Sequence, residues 1–169
     1  MVLSLRYDSV RQHAFISHHH ADDEHVTKLT DMLKRNGFEL RNSSIRAKPA
    51  NQARLDKDLV QDETIKRLLR MKISWASTVV VLIGKETHER PWVDWEIRKA
   101  NELGKRIVGV YTRGGTEAEA PPALNDYEGA RVNWNSASII DAIEGKTSPF
   151  EKPGGGQREP IHEPSTASC

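Results

Sequence analysis

Apolar residues fall along the chain in short bursts of two kinds, unbroken or alternating runs and helically spaced sets. His13-Ala14-Phe15-Ile16-Ser17 is a short apolar run that ends in a polar stretch, and it reads as a first strand. From Ala21 to Asn36 the apolar residues Val26, Leu29 and Leu33 recur at helical spacing. Asp22, Asp23 and Glu24 open that segment, where acidic side chains suit the positive end of a helix dipole, and Gly37 is a natural stop. Phe38 to Arg41 alternates as a half-buried second strand, and a polar loop follows from Asn42 to Ala53. Leu59 to Ser77 places Ile65, Leu68, Leu69 and Ile73 on one face, so a helix is expected. Thr78 to Gly84 is β-branched and apolar throughout, the pattern of a central parallel strand covered on both faces. Pro91 suits the first position of the next helix, which should run to Leu103 and stop at Gly104. Arg106 to Tyr111 reads as strand 4, Gly114 to Glu128 as loop, and Ala130 to Trp134 as strand 5. Ser136 to Gly145 closes the pattern as a short helix carrying Ile139, Ile140 and Ile143.

Strands alternating with helices or loops define an α/β fold with a parallel sheet. Right-handed crossovers leave few topologies. The expectation is a three-layer, flavodoxin-like fold with a five-stranded parallel sheet in the order 2-1-3-4-5. Such a sheet opens a crevice at the carboxyl ends of strands 1 and 3, where the winding direction reverses. Residues 1–145 should form this domain. Residues 146–169 read as a flexible tail: they hold Pro149, Pro153, Pro160, Pro164 and the run Gly154 to Gly156, with few apolar side chains.

Composition narrows the function classes. Hydrophobic residues at 37% and charged residues at 29% fit a soluble globular domain. Lys+Arg 25 against Asp+Glu 24 gives a net charge of +1, which removes the main electrostatic argument for binding nucleic acid or an anionic membrane. The single cysteine, Cys169, excludes an internal disulfide, a CxxC redox pair and a cysteine zinc site. The longest apolar run, around Val79 to Ile83, is too short to span a bilayer, and the N-terminus lacks a signal-peptide core, so a cytoplasmic protein is expected.

Two segments fall at the predicted crevice. After strand 1 comes Ser17-His18-His19-His20-Ala21-Asp22-Asp23; after strand 3 comes Lys85 to Glu96, ending in Trp92-Val93-Asp94-Trp95-Glu96. Trp92 and Glu96 are one helical turn apart on one face, beside a face of Val93, Ile97 and Ala100 that can pack on the sheet. The histidines and carboxylates after strand 1 resemble metal ligands in type, but neighbours in sequence do not automatically converge, and no metal is expected. Ser17 lacks the G-x-S-x-G elbow of hydrolase triads, and no G-x-G-x-x-G or Walker A motif follows a strand. Lys66, Arg67, Arg70 and Lys72 read as a solvated helix face.

His13-Ala14-Phe15-Ile16-Ser17-His18 resembles the opening strand of TIR and TIR-like domains, and Trp92 to Glu96 matches their W-x-x-x-E motif. Thr78 to Gly84 and Ile107 to Val110 resemble their third and fourth strands, so the resemblance covers about Gln12 to Gly145. Histidines after strand 1 combined with Pro91-Trp92-Val93-Asp94-Trp95-Glu96-Ile97 look most like the TIR-like sensors of bacterial Thoeris antiphage systems. The resemblance implies cleavage of the nicotinamide–ribose bond of NAD+, with Glu96 as the catalytic residue and no cofactor beyond NAD+ as substrate. It implies substrate contacts from Phe15, Ser17, His18, His19, Trp92 and Trp95. It implies an ADP-ribose-derived signal that reaches a downstream effector, a phage-derived activator, and self-association on activation. The nicotinamide already carries positive charge and departs neutral, so no general acid is required. What a site must supply is stabilisation of an oxocarbenium-like ribosyl centre. The histidine-rich loop departs from the wider family, whose basic residues there are missing. Arg41, Arg46 and Lys48 are phosphate candidates by charge and location alone. Two other readings stand beside this one. One is a non-catalytic interaction module. The other is a flavodoxin-like receiver or nucleoside-processing enzyme; a receiver needs an acidic pocket at the end of strand 1, where this chain offers His18 instead, with Asp22 and Asp23 expected too far into the helix to serve easily.

Overall fold

The computed structural model of the protein describes residues 10–42 and 63–159. β1 (Val10–Ser17) is followed by a 3-10 turn (His20–Asp22), α1 (Asp23–Arg35) and β2 (Phe38–Asn42). α2 (Glu63–Trp75) leads into β3 (Thr78–Ile83), a 3-10 turn (Thr87–Glu89), α3 (Pro91–Glu102) and β4 (Arg106–Tyr111). Another 3-10 turn (Glu117–Glu119), α4 (Pro122–Tyr127), β5 (Ala130–Val132) and α5 (Ser136–Glu144) follow. The expected loop 42–53 beyond Asn42 and the first residues of the expected helix from Leu59 lie outside the described residues.

The sheet is parallel throughout, in the order β2-β1-β3-β4-β5, as the alternation of elements predicts. Its two faces sort the strand residues by parity. Ala14, Ile16, Val80, Leu82, Val108 and Val110 meet Val26, Leu29 and Leu33 of α1 and Ile139, Ala142 and Ile143 of α5. Phe15, Val79, Val81, Ile83, Ile107 and Tyr111 meet Leu69 and Ile73 of α2, Val93, Ile97 and Ala100 of α3, and Ala123 and Leu124 of α4. All of β3 is buried, which explains its unbroken apolar run. The helix layers must lie on opposite faces, because a right-handed crossover follows each strand and the winding direction reverses between β1 and β3.

α4 is a departure from the sequence reading, which made 114–128 a loop. Pro121 and Pro122 obscured it, but a proline is accepted in a first helical turn, where its missing N–H would have no partner. The helix buries Ala123 and Leu124, and the Asp94 carboxylate of α3 accepts a hydrogen bond from the Ala123 N–H at 2.9 Å. Six residues make too short a helix to show a periodic signal.

Residues 146–159, read from the sequence as the start of a flexible tail, lie along the β5 edge. Arg131 N–H donates to the Pro149 carbonyl at 2.9 Å and Glu151 N–H donates to the Arg131 carbonyl at 2.7 Å, a parallel bridge between Arg131 and Phe150. This covers backbone groups that an edge strand would otherwise present to solvent. Arg158 reaches back to Glu128 at 3.3 Å and Glu117 at 3.1 Å. Residues 160–169 lie outside the described residues.

Arg131 itself is fully buried, on the face occupied by Tyr111 and Leu124. Its guanidinium donates to Glu128 at 2.7 Å and to Asn125 Oδ1 at 2.6 Å, and the Glu128 side chain is as inaccessible as its own. A buried ion pair adds little net stability against an apolar pair, but breaking it strands a charge. Arg131→Met should therefore lower the unfolding free energy by about 3–5 kcal/mol. The double variant Arg131→Met/Glu128→Leu should recover most of that loss, as read from urea denaturation midpoints.

Candidate active site

α3 starts at Pro91 and aims one stripe inward: Val93, Glu96, Ile97 and Ala100 are its buried residues. The spacing i, i+3, i+4, i+7 is the core-facing stripe of a helix, and a carboxylate occupies one of its positions. Glu96 is 4% exposed, so it is not a solvated surface residue of the helix. Burying Val93 and Ile97 stabilises by about 1.5–3 kcal/mol each, which can carry one costly polar neighbour.

Glu96 meets the end of β1. Ser17 has the parity of Phe15 and so faces the α3 layer, and its hydroxyl donates to Glu96 Oε2. The Trp92 indole, one turn before Glu96, also hydrogen-bonds the carboxyl. Burial pushes the Glu96 carboxyl up to about 8, against the opposing pull of the Ser17 and Trp92 hydrogen bonds. Desolvation therefore dominates, and Glu96 keeps its proton at neutral pH.

The remaining expected site residues divide. Trp92 and Trp95 are partly exposed and stack on each other, with ring centroids 5.3 Å apart and planes at 14°; Lys99 lies 5.7 Å over the Trp95 ring. His18 is anchored at both ring nitrogens, Nδ1 to the Ile16 carbonyl at 3.0 Å and Nε2 to Asp23 Oδ1 at 2.7 Å. His19 is 6% exposed and packs edge-on against His20, with centroids 4.0 Å apart. Phe15 is 1% exposed within the core on the α3 face, beneath the site rather than along a wall that a ligand could meet. Arg41 is exposed at the β2 edge, whereas Arg46 and Lys48 lie outside the described residues. Among the described residues, no group of three or more His, Cys, Asp or Glu side chains could hold a metal ion.

Sequence reasoning passed over Asp22, placing it too far into the helix to serve at the strand ends. The 3-10 turn before α1 corrects this: it folds Asp22 back until its carboxylate covers the Cα of Gly84, just past β3. A Cβ at position 84 would meet both Asp22 oxygens at 2.5 Å, so glycine is required there by close approach. Asp22 is 5% exposed and pairs with His25 Nδ1 at 3.3 Å. Burial pushes its carboxyl up, partly offset by His25 and His18. Thr87, wholly buried, closes the same turn by accepting from the Gly84 N–H at 2.9 Å. The one available signal for this cluster was Gly84 itself, a glycine directly after an apolar strand at a switch point.

The fold, the W-x-x-x-E helix and the carboxyl set at the β1 end together define a TIR-like α/β domain. A family model described as Thoeris protein ThsB, TIR-like domain, matches residues 15–117, and the chain belongs to that family. One relative is a protein of Bacillus cereus (strain MSX-D12) provisionally named a cyclic ADP-D-ribose synthase, ThsB1; it is 38% identical over 56 residues, covering 33% of this chain and 29% of that protein. A second, named as a cysteine–tRNA ligase of Afipia carboxidovorans, is 29% identical over 108 residues, covering 64% of this chain and 23% of that protein. The chain thus spans less than a third of the length of the relatives it matches. Among solved structures, a conserved protein from Enterococcus faecalis V583 aligns with a TM-score of 0.51 at 14% identity, over 82% of this chain and 100% of that one. That likeness is one of fold. No helix among the described residues is long and apolar enough to cross a membrane.

Linkage turns the Glu96 environment into a stability test. A carboxyl whose folded pKa lies above its unfolded value stabilises most below the unfolded value, and that contribution is lost as pH rises through the folded one. Wild-type stability should therefore fall from about pH 4.5 to about pH 8 by a few kcal/mol. Glu96→Gln should flatten this slope and melt higher than wild type at pH 9, as followed by circular dichroism across a pH series.

Proposed function

We propose that the protein is an NAD+-cleaving TIR-like enzyme, of the glycohydrolase or ADP-ribosyl cyclase type, that makes an ADP-ribose-derived signal in Thoeris-type antiphage defence. The observation that carries this reading is the buried Glu96 carboxyl, held at the switch point by Ser17 and Trp92. Membership in the ThsB family and the name of the Bacillus cereus relative support the reaction class.

In this reading the substrate supplies the charge that draws the proton from Glu96. A cationic nicotinamide ribosyl group beside Glu96 favours the ionised carboxylate, since an opposite charge nearby lowers a carboxyl pKa. The carboxylate then stabilises positive charge developing at the ribosyl carbon as the bond to nicotinamide breaks. Water as acceptor gives ADP-ribose, and an internal acceptor gives a cyclic product. Trp92 and Trp95 offer ring faces to the nicotinamide or adenine, and His18 and His19 line the β1 side. Self-association on activation, a phage-derived activator and an effector reached through the diffusible product complete the proposal. NAD+ enters as substrate, with no separate cofactor.

A second reading, a non-catalytic interaction module, is favoured by two observations. Glu96 is almost wholly enclosed, and α2 exposes an apolar stripe of Leu68 (40%), Met71 (44%) and Trp75 (69%).

Nicotinamide release from NAD+ separates the two. Wild-type protein from cells with the activated system should release nicotinamide, and Glu96→Gln should lower the rate by at least about a hundredfold, the loss of one positioned electrostatic group. No turnover by the activated wild type, or full turnover by Glu96→Gln, would remove the catalytic reading. The ionised carboxylate also predicts a pH profile. Wild-type kcat/KM should rise toward a limb near pH 8, and Ser17→Ala, which removes a hydrogen bond that favours ionisation, should shift that limb upward.

A further inference from the structure

Glu96 is one of two buried carboxyls at the switch point. Glu96 reaches the end of β1 from the α3 face, and Asp22 reaches the end of β3 from the α1 face. β1 and β3 are hydrogen-bonded neighbours, with Ser17 opposite Val81. Neighbouring strands lie only about 4.8 Å apart. The two acids therefore stand at the ends of neighbouring strands, one reached from each face of the sheet.

The surroundings of Asp22 are unequal at its two oxygens. Oδ1 faces His25 at 3.3 Å. Oδ2 is buried and has no hydrogen-bond partner among the described residues. An acceptor left unsatisfied in the interior costs about 1–3 kcal/mol, so a buried orphan oxygen at a ligand crevice calls for a donor. The position is built with care: the 3-10 turn brings the carboxylate in, and Gly84 alone leaves it room. His18, the adjacent site residue, is tied to Asp23 and the Ile16 carbonyl, so its ring nitrogens are already engaged.

We propose that Asp22 is a substrate-binding residue whose Oδ2 accepts a hydrogen bond from a ribose hydroxyl of the bound nucleotide, on the side of the sugar opposite Glu96. This rests on the NAD+-cleavage reading and deepens it. A neutral hydroxyl suits the site because it can satisfy the orphan oxygen without bringing a further charge into a buried pocket. A phosphate does not, because its oxygens accept and would repel the carboxylate.

Calorimetric titration of the full chain with NAD+ tests the inference, together with two analogues lacking the 2′- or the 3′-hydroxyl of the nicotinamide ribose. One analogue should bind wild type about ten- to a hundredfold more weakly than NAD+, the range of a hydrogen bond to a charged acceptor. Asp22→Ala and the near-isosteric Asp22→Asn should weaken NAD+ by a similar factor while retaining the wild-type far-ultraviolet spectrum. In Asp22→Ala that analogue should bind as well as NAD+ does, because the lost hydroxyl no longer has its partner. Equal affinity of wild type for NAD+ and both analogues would overturn the proposal without recourse to any variant. So would folded Asp22 variants that bind NAD+ like wild type, or an analogue penalty that persists undiminished in Asp22→Ala. Nicotinamide release by wild type distinguishes the failures: if it is present while these results go against Asp22, only this inference falls. If wild type neither binds NAD+ nor releases nicotinamide, the enzymatic reading falls with it.

Discussion

A carboxylic acid in the dry contact between a helix and a sheet sets the terms for this domain. Glu96 occupies a position that the periodicity of α3 assigns to the core. It is tolerated because Val93, Ile97 and Ala100 secure the helix around it and because Ser17 and Trp92 supply hydrogen bonds. Those bonds do not compensate for desolvation, and the group keeps its proton well above the usual carboxylate range. A fold optimised for stability alone would place an apolar residue there. Perturbed carboxyls tend to cluster at functional sites, and this is why the proposed function is built on Glu96.

The parallel sheet makes that placement possible. Because β1 and β3 lie side by side while their following helices go to opposite faces, the carboxyl ends of these strands receive side chains from both layers. The α3 layer contributes Glu96, Trp92 and Trp95, and the turn before α1 contributes Asp22 and the histidines. The proposed site draws on both layers. Phe15 belongs to the support beneath it, since strand parity directs it into the α2–α4 core.

A second polar assembly stands at the far edge of the sheet. Arg131, Glu128, Asn125 and Arg158 form an enclosed network, and residues 149–158 add backbone pairing to β5. Arg158 also pairs with Glu117, in the 3-10 turn Glu117–Glu119. The C-terminal segment is thus tied to the turn that follows β4. Its glycines and prolines, which in the sequence resemble those of a solvated linker, serve a tight hairpin with Lys152 N–H bonded to the Gly156 carbonyl at 2.6 Å.

Local pattern determined the strands, four of the five helices among the described residues, the sheet order and the position of the crevice, because alternation, periodicity and crossover handedness are properties of short segments and of chain connectivity. It also singled out Glu96 and Trp92, one helical turn apart. It did not disclose α4, whose six residues are too few for a period, or the ordered start of the C-terminal segment, whose apolar content is one Phe150 against the sheet edge. Asp22 against Gly84 and Arg131 against Glu128 and Arg158 were equally hidden. Such contacts join residues far apart along the chain or across a turn whose geometry no local propensity specifies. Whether a carboxylate is solvated, paired or left with an orphan oxygen depends on what the packed layers bring beside it, and only the tertiary structure decided that.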